Sequence, residues 1–168
     1  LGSSGSFTTA LLKALYAHRR RLLHPSELAE LACDIEINRL GEPVGKQDQY
    51  IAAYGGLTCF TFNPDGSVEA EPLPMPMDAL FNLEDNLLLF FTGQTRDASH
   101  ILTEQQAHLN DRTSVLNALR DMANEARREV AAGKLDSLGR LLYEAWALKR
   151  RLASNTSNGT IDEMYETA

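Results

Sequence analysis

The stretch GKQDQYIAAYGGLTCFTFNPDGSVEA, residues 45–70, changes its hydrophobic period within a few positions, and that change restricts what the chain can fold into. Between Gly45 and the Gly55–Gly56 pair there is room for roughly two or three helical turns. Immediately beyond, Phe60 and Phe62 alternate with Cys59 and Thr61, and NPDG supplies a turn, so a β-hairpin is predicted.

Helical patterns flank this segment. Phe7, Leu11, Leu15, His18 and Leu22 recur at three- and four-residue spacing, which predicts an amphipathic helix entered from a Gly/Ser stretch and ending near Leu23. Pro25 and Ser26 then start a second helix, whose apolar side carries Leu28, Leu31, Ala32 and Ile35 and which Gly41 and Pro43 stop. After the hairpin, PLPMPM reads as a loop and NLLLFFTG as a buried strand. Further helices are predicted from about Asp97 to Leu109, along Val115, Leu119, Met122, Ala126 and Val130, and along Leu138, Leu141, Ala145, Leu148 and Leu152. IDEMYETA starts a last one. Their apolar stripes face a core and need no cofactor to explain them.

A chain of 168 residues with 43% hydrophobic content can bury one ordinary core. Its net charge of -7 argues against a nucleic-acid or anionic-membrane partner, and HRRR at 18–21 is too short to reverse that. Cys33 and Cys59 form no CxxC pair, so neither a disulfide framework nor a thiolate zinc site is expected. No run approaches the roughly 20 apolar residues of a membrane span, and a cytoplasmic location is expected. Since the first residue is Leu1 rather than methionine, an upstream targeting segment stays open.

Three groups of residues could carry chemistry. Gly2, Ser3, Ser4, Gly5 and Ser6 precede a helix, where unpaired N–H groups and small side chains admit a phosphate and serine hydroxyls reach a phosphate or a magnesium ion; a vector-derived Gly/Ser linker has the same composition. Glu36 falls at the flank of its helix's apolar stripe, and Asp48 sits between two glutamines in GKQDQY. One carboxylate accepting a hydroxyl proton and another ligating magnesium would serve phosphoryl transfer, although solvated surface acids look the same in sequence. The four histidines show no HxxxH or HxH spacing and read as helix-surface residues, and Trp146 reads as a packing residue with its indole N–H at the edge.

In order and spacing these groups resemble the GHMP sugar-kinase superfamily. LGSSG matches the latter half of its second motif, Pro-x-x-x-Gly-Leu-Gly-Ser-Ser-Ala, with Gly5 where alanine is usual. Glu36, GEP at 41–43 and GKQDQ at 45–49 follow in the order of the family's magnesium-binding Glu, Gly-x-Pro and Gly-x-x-Asp-Gln. GKQDQYIAAYGGLTCFTF and LLLFFTGQTRDASHIL most resemble the D-glycero-D-manno-heptose 7-phosphate kinase group. The likeness covers most of the chain.

The resemblance implies an α+β fold: residues 1–74 as the rear of an N-terminal ATP- and substrate-binding domain, and 75–168 as part of a helix-rich, ferredoxin-like C-terminal domain. It implies ATP and Mg2+ as cofactors, with Gly2, Ser3, Ser4 and Gly5 at the ATP phosphates, Ser4 and Glu36 at magnesium, and Asp48 as the base or orienting group for a sugar hydroxyl. Lys46 and Arg96 are candidate contacts to a sugar phosphate. The implied reaction is phosphorylation of a sugar or sugar phosphate, foremost the anomeric hydroxyl of a heptose 7-phosphate. A galactose- or fucose-type kinase and a non-catalytic binding or oligomerisation module are the alternatives. The family's first and third motifs are not in this sequence, so the chain alone is expected to be a poor catalyst whose unpaired strand edges favour association between copies.

Overall fold

The computed structural model describes residues 2–93, 112–152 and 156–167. The helix expected over 97–109, with Arg96, His100 and His108, lies outside the described residues. The chain divides into two compact units, Leu1–Pro72 and Leu73–Ala168.

In the first unit, helix α1 (Ser3–His18) packs against α2 (Pro25–Cys33) and α3 (Gln47–Tyr54). The helix starts earlier than its apolar stripe suggests, because Gly2 takes the left-handed conformation (φ 55) as N-cap and Ser3, Ser4 and Gly5 form the first turn. It also ends earlier. Arg20 adopts φ 56, and the Arg20 and Arg21 amides donate back to the Ala17 and Tyr16 carbonyls, each at 2.9 Å. That is a Schellman termination with arginine where glycine is usual, so the sequence carries no stop signal there. The face that α1 buries is Gly5 and Thr9, while Phe7 (69% exposed), Leu11, Leu15 and Leu22 of the predicted core stripe face outward. Periodicity identified an amphipathic helix without identifying which face the neighbouring helices cover.

Helix α2 begins with a capping box: the His24 ring accepts from the Ser26 amide, and the Glu27 carboxylate accepts from the His24 amide at 3.1 Å. Its buried residues are Leu28, Ala29, Ala32 and Cys33, and it runs directly into a π-helical segment, Asp34–Arg39. Strands β1 (Thr58–Phe62) and β2 (Val68–Pro72) pair antiparallel with Phe60 opposite Ala70 and Phe62 opposite Val68, as the alternation predicts. Gly66, at φ 85, and Asp65, whose carboxylate accepts from the Ser67 amide at 2.9 Å, close the turn.

Helix α3 meets the hairpin through aromatic rings. Tyr50 and Tyr54, one turn apart, stack with centroids 6.1 Å apart, and Phe60 meets both edge-on at 5.7 and 5.6 Å. Beneath them lie Ala29 and Cys33. Burial pushes the Cys33 thiol up to about 11, so it stays a neutral packing group. Lys46, one residue before α3, fastens three elements, since its ammonium donates to both Glu30 oxygens (2.8 and 2.9 Å) and to the Gly66 carbonyl (2.9 Å). Tyr50 also donates to Glu30.

The second unit is helical among the described residues: α4 (Met77–Asp85), α5 (Thr113–Ala131), α6 (Leu135–Lys149) and α7 (Gly159–Thr167). Helix α4 begins at Met77, the last residue of PLPMPM, and covers residues 78–85, to which the sequence reading assigns no element. Helices α5 and α6 pack together, and Arg140 of α6 pairs with Glu125 of α5 at 3.3 Å. Trp146 packs on Tyr165 with ring centroids 5.7 Å apart, but its indole N–H is buried without a partner among the described residues rather than sitting at an edge. The buried strand expected in NLLLFFTG is absent: residues 87–92 form no ladder, and Leu88 and Phe91 are 75% and 90% exposed. A strand needs a neighbour to bond with, and the sheet among the described residues contains only β1 and β2.

The Lys46–Glu30 tie makes stability pH-dependent. Burial raises the Glu30 carboxyl, but hydrogen bonds from Lys46 and Tyr50 and the Lys46 charge outweigh it and hold the group below its ordinary 4.5. A carboxyl lowered on folding contributes stability that is complete above its unfolded pKa and is lost as pH falls through the folded one. With Glu30 partly exposed, Lys46→Met should cost up to about 1 kcal/mol at neutral pH. Urea midpoints should show that difference shrinking on the acid side of the carboxylate range.

Candidate functional site

The first turn of α1 rests on the first turn of α3. A methyl group in place of the Gly2 hydrogen would lie 3.3 Å from Asp48 Cγ. One at Gly5 would lie 3.1 Å from the Asp48 carbonyl carbon, Asp48 Cβ and the Gln49 amide nitrogen. Gly5 permits a closeness of two backbones that a side chain would crowd, and Gly2 leaves room for the Asp48 side chain. A methyl group at position 5 would press on Asp48, so glycine there serves the packing of α1 on α3. Gly2, Gly5 and Asp48 are thus brought together, with Ser3 and Ser4 exposed on the same turn and Asp48 exposed beside them.

That turn carries no side-chain cap and no acidic residue. The amides of a helix's first turn have no intrahelical acceptor, and the helix dipole leaves partial positive charge there. The arrangement suits an anion next to a carboxylate.

Glu36 lies one layer deeper and is only 3% exposed. It stands on the buried side of α2 extended, seven residues after Ala29 and four after Ala32, rather than at the flank of the apolar stripe. A stripe drawn through Ala29, Ala32 and Cys33 would have placed it. Its carboxylate is satisfied by two neutral donors: Thr8 Oγ1 gives to Oε1 at 2.7 Å, and Gln49 Nε2 gives to Oε2. Sequence reasoning missed both. Thr8 had a usable signal, since it sits four residues after Ser4 on the same side of α1. Gln49, 1% exposed, is the last residue of the Gly-x-x-Asp-Gln match, which assigned it no role.

The oxygens gathered here are hard donors: the Thr8 hydroxyl, the Glu36 carboxylate and Gln49 Oε1, a buried acceptor without a hydrogen bond among the described residues; the Ser4 hydroxyl stands one helical turn before Thr8. No group of three His, Cys, Asp or Glu side chains able to cage a metal occurs among the described residues. One carboxylate with hydroxyls fits magnesium, which keeps waters and substrate phosphates in its shell and seldom takes an all-protein cage.

Lys46 does not join this cluster. Its ammonium donates to the Glu30 carboxylate and to the Gly66 carbonyl. A cavity of about 390 Å³ adjoins it between Gly45–Gln47 and the hairpin residues Phe62 and Val68. Arg96 lies outside the described residues. No helix among them is long and apolar enough to cross a membrane, and Cys33 and Cys59 are both free.

Residues 1–56 match the family described as the GHMP kinases N terminal domain. The whole chain is 28% identical to a D-glycero-alpha-D-manno-heptose 7-phosphate kinase of Campylobacter jejuni, spanning 50% of that protein. Over 99% of its length it is 28% identical to a bifunctional fucokinase/GDP-fucose pyrophosphorylase of Arabidopsis thaliana, spanning 16% of it. A crystal structure of a D-glycero-D-manno-heptose 1-phosphate kinase from Bacteroides thetaiotaomicron superposes on 90% of the chain and 44% of that protein, with TM-score 0.69 and 28% identity. The chain therefore spans half or less of the length of these relatives, and its fold is the mixed helical and small-sheet arrangement of part of that kinase fold.

The backbone contact at Gly5 sets a stability expectation. Gly5→Ala should cost about 1–3 kcal/mol, as overpacking of a tight contact does. Denaturant unfolding would measure it, and an unchanged midpoint would show that α1 can withdraw from α3 freely.

Proposed function

We propose that this chain, whose residues 1–56 match the GHMP kinases N terminal domain, carries the phosphoryl-transfer centre of an ATP- and magnesium-dependent sugar kinase. The observation that carries the reading is the contact of Gly2 and Gly5 with Asp48, which sets a phosphate-binding helix terminus beside a carboxylate. The amides of Ser3, Ser4 and Gly5 receive phosphate oxygens of ATP. Ser4 and Glu36 hold magnesium, which when bound neutralises charge on the transferred group. Asp48 orients the acceptor hydroxyl and takes its proton as the new P–O bond forms and the bond to ADP breaks. Phosphoryl transfer passes through a loose transition state, so placement of the hydroxyl contributes more than its activation.

The acceptor we favour is the anomeric hydroxyl of a heptose 7-phosphate, supported by the likeness to the Campylobacter enzyme over the whole chain. A fucose-type acceptor is the second reading, supported by the Arabidopsis relative. Residues 1–74 serve as part of the ATP- and substrate-binding domain, and 75–168 as part of a helix-rich C-terminal domain.

In the full-length protein, Asp48→Asn should lower transfer by about 10²–10⁴-fold while nucleotide binding by calorimetry stays near wild type. A panel of heptose 7-phosphate, fucose and galactose identifies the acceptor. Undiminished turnover in the variant would remove Asp48 from the chemistry, and turnover on no acceptor would favour a non-catalytic module.

A further inference from the structure

Gln49 and Thr8 converge on a carboxylate that neither composition nor motif spacing connected to them. Glu36 is 3% exposed and Gln49 1% exposed, so each is shielded from the water that would otherwise satisfy it. The Glu36 oxygens are divided between the two, Oε1 to the Thr8 hydroxyl and Oε2 to the Gln49 amide. Each donor comes from a different helix, Thr8 from α1 and Gln49 from α3, while Glu36 arrives on the π-helical segment that extends α2. A buried carboxylate with both oxygens engaged from opposite elements has little rotational freedom. Removing either donor leaves a buried oxygen unpaired and frees the group to turn.

Gln49 is also the residue after Asp48. Successive helical residues point about 100° apart, so one turn of α3 presents Asp48 toward Gly2 at the surface and Gln49 toward Glu36 in the interior. The same turn therefore sets the position of both acids. The Gln49 amide oxygen is a buried acceptor with no hydrogen bond among the described residues, which leaves a second oxygen in the cluster for a cation's hydration shell.

We propose that Gln49 and Thr8 are positioning residues that hold the Glu36 carboxylate for a divalent cation, acting through Glu36 rather than touching the sugar. The inference rests on the phosphoryl-transfer reading above. Groups that hydrogen-bond a metal-ligating carboxylate typically change metal affinity by about 10–100-fold when removed.

The test uses the full-length protein and Mn2+ in the presence of a non-hydrolysable ATP analogue, with bound Mn2+ read by electron paramagnetic resonance. Gln49→Met keeps the length of the side chain without the amide, and Thr8→Val keeps the shape of threonine without the hydroxyl. Both should weaken Mn2+ about tenfold or more, and in turnover should raise the magnesium concentration for half-maximal rate more than they lower the rate at saturation. Thr8→Ser restores the hydroxyl and should restore Mn2+ affinity, an outcome a purely packing role for Thr8 would not give. If Gln49→Met fails to fold, the Thr8 pair decides the matter alone. Affinities within twofold of wild type in Thr8→Val, or equal loss in Thr8→Val and Thr8→Ser, would overturn the proposal. Failure of the wild-type protein to bind Mn2+ with the analogue would instead overturn the reading on which it rests.

Discussion

The site depends on two helices lying closer than side chains normally allow. Gly2 and Gly5 bring the first turn of α1 against Asp48 and Gln49 of α3, so the amides that can receive an anion and the carboxylate beside them are set by backbone packing. The same approach closes a buried triangle below the surface, in which Thr8 of α1 and Gln49 of α3 share the Glu36 carboxylate. A buried carboxylate without donors would be costly. Here its satisfaction and the seating of the two helices are one structural event.

Around that contact the remaining polar groups act as scaffold. Lys46 and Tyr50 meet Glu30 on the other side of α3, and the hairpin is held to the same helix by ring contacts of Tyr50 and Tyr54 with Phe60. Helix α3 therefore has three employments: Asp48 at the surface, Gln49 inward to Glu36, and Tyr50 with Tyr54 toward the hairpin. Displacing it would disturb the site and the core together, which is why stability and function should be difficult to separate by mutation in this segment.

Periodicity made the hairpin and α3 legible, since alternation at Phe60 and Phe62 and a glycine at each end of GKQDQYIAAYGG are local signals that tertiary contacts did not override. The helix ends were less legible. Arg20 takes the left-handed position that glycine normally marks, and α1 begins inside the Gly/Ser stretch read as preceding it. Burial was harder still, because an amphipathic pattern reports two faces without naming the covered one. Phe7, Leu11 and Leu15 are exposed, and the apolar run 87–91 forms no strand, since a ladder needs a partner that local sequence cannot supply. Of the candidate site, Gly2, Gly5, Asp48 and Glu36 were visible through the resemblance, whereas Thr8 and Gln49 became visible only once three elements met in space. The partners of Lys46 were hidden for the same reason: Glu30 and Gly66 lie 16 and 20 residues away in sequence.

We propose that the first turn of α1 and the start of α3 form one phosphate-facing unit. Backbone amide shifts of the full-length protein, followed by NMR as a magnesium-bound non-hydrolysable ATP analogue is added, test it most directly. Ser3, Ser4, Gly5 and Asp48 should move together along a single saturation curve, with Glu36 and Gln49 following. Shifts confined to other residues, with Ser3–Gly5 unmoved at saturation, would contradict it.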